Sequence, residues 1–292
     1  MFGVIGSAEL LAKTSLSSEQ NSYVDIICES SNALLNLIND ILDISLIESG
    51  KIAFNPETFN LYSLVHEVGR AILPRIEHTG VELLIDYPAS APRSLVADKG
   101  RVRQILLNLL SNSSDFTADG YIMASIAIPS RDALRVVIAD TGMTIPQEER
   151  ESIFDMYSSS AFDPEKRGRG EGLSLAVTQQ LIELMGGTLS LSSTEEHGVS
   201  FAVTLPLSVA DKQPVPVSLP SLEGLRILTV HPVARARSFF SESLSALGAD
   251  CVATATSDDA LAILDEAHSS DSPFTVAIID EHLSDMHGET FA

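Results

Sequence analysis

The chain has 292 residues, 45% of them hydrophobic, with 40 acidic and 18 basic side chains and a net charge of -22. That length suits two modest domains or one large one, and the apolar content supports real cores. The acidic balance excludes non-specific nucleic-acid binding, which depends on Lys and Arg neutralising phosphates, and it disfavours adhesion to an anionic membrane surface.

The two cysteines, Cys28 and Cys251, are far apart and lack metal-type spacing, so a reducing compartment fits better than a disulfide scaffold or zinc site. No signal peptide and no bilayer-length apolar run is visible, and the abrupt start leaves room for a membrane sensor ahead of Met1.

Residues 1–50 read as helices. FGVIGSAELLA is a short helical piece, KTSLS a turn, and Ser17 with Gln20 offers a capping box for a helix from Ser18. Tyr23, Ile27, Ser30, Leu34, Leu37, Ile41 and Ile44 form a heptad seam. Pairing of two hairpins into a four-helix bundle would bury that seam economically; the alternative is a helical pair packed on the next domain.

Residues 51–207 read as an α/β domain. Asn60 caps a helix to about Arg75, VELLIDY is a strand, and Asp98 caps a long helix to about Ser114. YIMASIAI and LRVVIAD are strands, a helix over 178–185 stops at Gly186-Gly187, and TLSLSS pairs with VSFAVTLPL. Such runs predict a mixed sheet covered by helices on one side. Residues 208–222, with three prolines, read as a linker. The remainder, 223–292, alternates strand and helix as the opening of a parallel, doubly wound sheet that stops after three strands.

Within this frame, LLNLLSNSSDF places Asn108 and Asn112 four apart on one helical face, with Gln104 and Asp115 extending it. A solvated polar face is one reading, and a ligand face reaching a metal ion and phosphates is the other. Downstream, IADTGMTI delivers Asp140 at a strand end with Gly142 two residues on, an arrangement able to accept an exocyclic amine. Gly168, Gly170 and Gly172 then lead into a helix, whose N-terminal N–H groups suit phosphate oxygens.

In this order the motifs resemble those of hybrid sensor histidine kinases of two-component signalling. DKGRVRQILLNLLSNSSDFT is similar to their N box, DTGMTI to the first glycine box, IFDMY to the F box, GEGLSLAV to the second glycine box, and LLNLINDILDISLIESGK to the second helix of the phosphotransfer hairpin.

The resemblance implies an α+β multi-domain chain. Residues 1–50 would be a dimerisation and phosphotransfer hairpin forming a dimeric four-helix bundle, 51–207 a two-layer ATPase domain, and 223–292 an incomplete flavodoxin-like receiver after the linker. It implies ATP and Mg²⁺ as cofactors. Asn112 would hold the ion, Asn108 would line the same site, and Asp140 would bind the adenine amine with Gly142 making room. Gly168, Gly170, Gly172 and Leu173 would border the triphosphate below a lid at about 158–169. Asp280 would match the receiver phosphoacceptor. Implied partners are a second copy or another histidine kinase, and a response regulator or phosphotransfer protein. No nucleic acid and no direct membrane contact are expected, in the cytoplasm.

The sequence also departs from the family pattern. Residues 1–50 hold no histidine; the family's phosphoacceptor falls about half a dozen residues before the position matching Met1, so either the segment is cut short or the step is lost. Asp115 stands where the family often has a lysine, Thr144 and Ser174 replace glycines, Met156-Tyr157 replace Pro-Phe, and Glu171 adds an anion. His231-Pro232 occupy the place of the receiver's acidic pair, without which phosphorylation of Asp280 should be poor. Reduced turnover, or a non-catalytic signalling partner, is therefore expected.

Overall fold

The computed structural model describes residues 2–77, 79–155, 171–194, 198–210, 221–270, 272–283, 285 and 288–291. The expected lid, with Gly168 and Gly170, lies outside them.

Two helices open the chain, α1 (Phe2–Ala12) and α2 (Ser18–Glu48). Ser17 begins α2 with the expected reciprocal box, its Oγ accepting from the Gln20 amide while the Gln20 side chain accepts from the Ser17 amide. Of the heptad residues, Tyr23, Ile27, Leu34 and Ile41 are exposed, whereas Leu37 and Ile44 are half-buried. The residues of α2 that the chain buries lie elsewhere and include Val24, Ser31, Asp40 and Asp43. The seam is thus only partly available, because Leu34 and Leu37 also line the cleft between α2 and the next domain.

That domain runs through β1 (Glu57–Asn60), α3 (Leu61–Ile76), β2 (Gly80–Asp86), β3 (Ser94–Ala97), α4 (Lys99–Phe116), β4 (Asp119–Ser130), β5 (Ala133–Asp140), α5 (Glu171–Leu184), β6 (Thr188–Thr194), β7 (Gly198–Leu205) and β8 (Ser208–Val209). Its main sheet has the order β2-β4-β5-β7-β6, with β2 and β4 parallel and the other neighbours antiparallel. Helices α3, α4 and α5 cover one face. Strand alternation sends Val81, Leu83, Ile85, Ile122, Ala124 and Ile138 into that core. Full burial of such side chains contributes about 1.5–3 kcal/mol each.

A second sheet, β1-β3-β8, was not expected. It carries the domain two residues into the stretch read as linker, because Val96 pairs with Ser208 and Leu95 with Val209.

The last unit contains β9 (Arg226–Val230), α6 (Ala234–Ser245), β10 (Asp250–Thr254), α7 (Ser257–Ser269), β11 (Val276–Ile279) and the short α8 (Gly288–Phe291). Its three parallel strands take the order β10-β9-β11. Helix α6 seats Ala236, Val233, Phe239 and Phe240 on Leu84, Tyr121 and Met123, the outer face of the main sheet.

Candidate functional site

Helix α4 explains its own mixed sequence. Asp98 caps it, accepting from the Arg101 amide at 3.0 Å. Val102, Ile105, Leu106, Leu109 and Leu110 are buried in the core. The stripe Arg101, Gln104, Asn108, Ser111, Asn112 and Asp115 instead lines a cavity of about 1320 Å³. The amides in the leucine run therefore have an apolar back and a cavity front.

The two asparagines differ. Asn108 Nδ2 donates to Thr178 Oγ1 at 3.0 Å, which ties α4 to α5. Asn112 is buried at 7% exposure and its Nδ2 has no hydrogen-bond partner. Such an orphaned amide costs free energy unless a ligand meets it.

One residue further on, Ser113 Oγ donates to Asp140 Oδ2 at 2.7 Å. Asp140 ends β5 and is 2% exposed. The Gly142 amide donates to its Oδ1 at 3.0 Å. Burial pushes the Asp140 carboxyl above its ordinary range, while hydrogen bonds from Ser113, Gly142, Val199 and Thr117 pull it back. A Cβ on Gly142 would stand 2.6 Å from the Phe116 carbonyl oxygen and 2.9 Å from Asp140 Oδ1. The glycine is required by this close approach.

Other expected residues fall less cleanly. Gly172 lies in the first turn of α5 and Leu173 is buried there, while Ser174 reaches the cavity wall. Asp115, expected beside the phosphates, forms an ion pair with Arg75 of α3 at 2.9 Å. The local anion is thus partly neutralised within the domain.

Sequence reasoning missed the far wall of the cavity. It is helix α2, through residues that include Leu34, Leu37, Asp40, Asp43 and Leu46. Arg101 pairs with Asp43 Oδ1 at 2.8 Å, and Gln104 Nε2 donates to Asp43 Oδ2 at 2.8 Å. Ser113 and Thr117 were missed too. The only available signal was their position beside Asn112 and Gly142 in the chain, since the partner Asp140 lies 27 residues from Ser113.

In the last unit, Asp280 Oδ1 accepts from the His282 amide at 2.7 Å, an Asx-type turn. His231 Nε2 stands 3.5 Å from Asp280 Oδ2 and 3.1 Å from Glu82 Oε2 of β2. The Val233 amide donates to His231 Nδ1 at 3.2 Å, which places the neutral ring's hydrogen on Nε2, between the two carboxylates. These three groups could surround a cation. However, metal-bound imidazoles donate from their other nitrogen, and this one accepts.

Comparison with known proteins agrees with this geometry. Residues 1–50 match the family described as His Kinase A (phospho-acceptor) domain. Residues 97–209 match Histidine kinase-, DNA gyrase B-, and HSP90-like ATPase. The chain belongs to the hybrid sensor histidine kinases.

Among its relatives is Sensor protein TorS of Escherichia coli strain K12, 33% identical over 297 residues, covering 100% of this chain and 31% of that protein. Another is Hybrid signal transduction histidine kinase A of Dictyostelium discoideum, 37% identical over 234 residues, covering 76% of this chain and 11% of that protein. This kinase segment thus spans about a third or less of these relatives. The full-length ShkA structure in complex with AMPPNP shares the fold, with TM-score 0.71 and 24% identity over 99% of this chain and 67% of that one. Membership in the family carries two-component signal transduction and, at family level, transferase activity. No helix among the described residues is long and apolar enough to cross a membrane.

Proposed function

We propose that the α4–β5 site of this histidine kinase segment binds ATP with Mg²⁺, in support of phosphoryl transfer to histidine and then to aspartate. The single observation carrying the reading is Asn112: a buried side chain whose Nδ2 has no hydrogen-bond partner, on a cavity wall, adjacent to the serine that holds Asp140.

The residues present fit the group. An amide can turn to offer oxygen to a hard cation, and Mg²⁺ takes oxygen ligands while keeping waters and phosphates. Asn112 would hold the ion, and Asn108, fixed by Thr178, would line the same wall. Asp140 would accept the adenine amine from behind α4, since neither it nor Gly142 is among the residues lining the cavity that Asn108 and Asn112 face. Gly168, Gly170, Gly172 and Leu173 would border the triphosphate. Bound ATP supplies the phosphoryl group, and the protein's part is positioning and charge neutralisation.

Residues 1–50 would dimerise through the exposed Tyr23, Ile27, Leu34 and Ile41, with a second copy or another histidine kinase. Residues 223–292 would be an incomplete receiver with Asp280 at its acceptor position, and a response regulator or phosphotransfer protein would complete the relay in the cytoplasm.

A second reading, a non-catalytic signalling partner, rests on Ser174 in place of a glycine. It also rests on Asp115 in place of a cation. Turnover is reduced in either case.

Calorimetric titration with ATP, with and without Mg²⁺, tests the site. Binding should tighten with the metal and be lost in Asn112→Ala. Equal binding by the variant would refute it. Rapid self-labelling by radiolabelled ATP would refute reduced turnover.

A further inference from the structure

The cavity carries more cationic groups than its nucleotide reading has used. Among the described residues its wall holds three arginines, Arg75, Arg101 and Arg103. Each is paired with a carboxylate. Arg75 meets Asp115 and Arg103 meets Glu67, both partners lying within the ATPase domain. Arg101 differs, because its anion arrives from the hairpin: Asp43 of α2, at 2.8 Å.

The grip on Asp43 is two-handed. Arg101 Nη1 takes one carboxylate oxygen and Gln104 Nε2 the other, while Arg101 Nη1 also donates to Gln104 Oε1 at 2.8 Å. The pair is largely buried, with side-chain exposures of 21% for Arg101 and 10% for Asp43. Paired donors on a planar carboxylate also match a phosphate group. Arg101 and Gln104 stand on the same stripe of α4 as Asn108 and Asn112. Seven residues separate Arg101 from Asn108, about 10 Å along a helix axis. Asp40, one turn before Asp43, adds a second carboxylate to the cavity and carries no cation of its own among the described residues.

Resting on the nucleotide reading above, we propose that Arg101 and Gln104 are further phosphate-binding residues and that Asp43 is their intramolecular stand-in, so that hairpin docking and Mg-ATP binding oppose each other. Both anions need the same donors. Placing a triphosphate in a cavity that already holds Asp40 and Asp43 also adds like-charge repulsion at short range. Nucleotide therefore frees α2 from α4, and a docked α2 weakens nucleotide. By linkage the two effects are equal in size.

The test uses the full chain with Cys28→Ser and Cys251→Ser as background. Asp43→Asn keeps the shape and removes the charge; it should raise Mg-ATP affinity about fivefold or more, the lower range of coupling between sites. Asp43→Cys with Gln104→Cys, bridged by a short bis-methanethiosulfonate linker, holds α2 against α4 and should weaken Mg-ATP relative to the same protein after reduction. Arg101→Ala should lower affinity in the reduced, unlocked protein. Equal, measurable affinities in the locked, reduced and Asp43→Asn proteins would overturn the competition while leaving the nucleotide site standing. No binding in any of them would remove both.

Discussion

Ser113 and Asp140 are joined by a 2.7 Å hydrogen bond between α4 and the end of β5. That bond places the Asp140 carboxyl directly behind the helix whose next-door amide faces the cavity. Removing it by Ser113→Ala leaves a buried carboxylate short of one donor, a loss of about 1–3 kcal/mol. Urea unfolding should show that cost, and Mg-ATP affinity should fall several-fold. A variant with unchanged stability and affinity would mean the bond does not organise the site.

Gly142 has no room for a methyl group, since the Phe116 carbonyl oxygen is 2.6 Å from the place a Cβ would take. Gly142→Ala should destabilise the ATPase domain by about 1–3 kcal/mol through overpacking. The measurement is the urea midpoint. An unshifted midpoint would contradict the close approach.

A carboxylate at the base site also sets specificity. On the proposed reading Asp140 would accept from an adenine amine, whereas guanine presents a carbonyl there and would leave acceptor facing acceptor. Competition binding should favour ATP over GTP by more than about tenfold. Asp140→Asn, able to donate as well as accept, should narrow that ratio. Equal competition by GTP in the native chain would count against the assignment.

Asp40 is pushed up to about 6, first by burial and second by the neighbouring Asp43, from an ordinary 3.8. The other charged groups on the cavity wall are Arg75, Arg101, Arg103 and Asp115. A carboxyl raised on folding is a liability while ionised, so its cost is fully present above about 6 and is relieved as pH falls toward 3.8. Relative to Asp40→Asn, the native chain should gain stability between pH 7 and pH 5. A pH-independent difference in urea unfolding would refute this.

Much of the fold was legible because its signals are local. Ser17, Asn60 and Asp98 each cap the helix expected of them. VELLIDY and LRVVIAD form the strands expected of them. The sheet β1-β3-β8 was not legible, since strands of four and two residues are too short to show a period.

The proposed ligand groups could be named from the sequence, but the walls around them could not. Asn108, Asn112, Asp140 and Gly142 stand in recognisable order along the chain. Asp43 does not announce itself, because it lies off the heptad seam read from the sequence. Its partner Arg101 is 58 residues away. No spacing rule links two helices whose contact depends on how domains dock.

The C-terminal unit meets the main sheet through His231. Its Nε2 lies within reach of both Glu82 and Asp280. His231→Ala should leave two carboxylates facing each other without a shared donor and loosen α6 from Leu84 and Met123. Limited proteolysis across residues 210–222 should then proceed faster than in the native chain. An unchanged cleavage rate would show that the apolar contact alone holds the unit.

The most direct measurement is a crystal structure of the chain with Mg²⁺ and a non-hydrolysable ATP analogue. The account expects the adenine amine within hydrogen-bonding distance of Asp140 and the metal on the Asn112 side-chain oxygen. Nucleotide bound away from α4, with Asn112 still unpartnered, would contradict it.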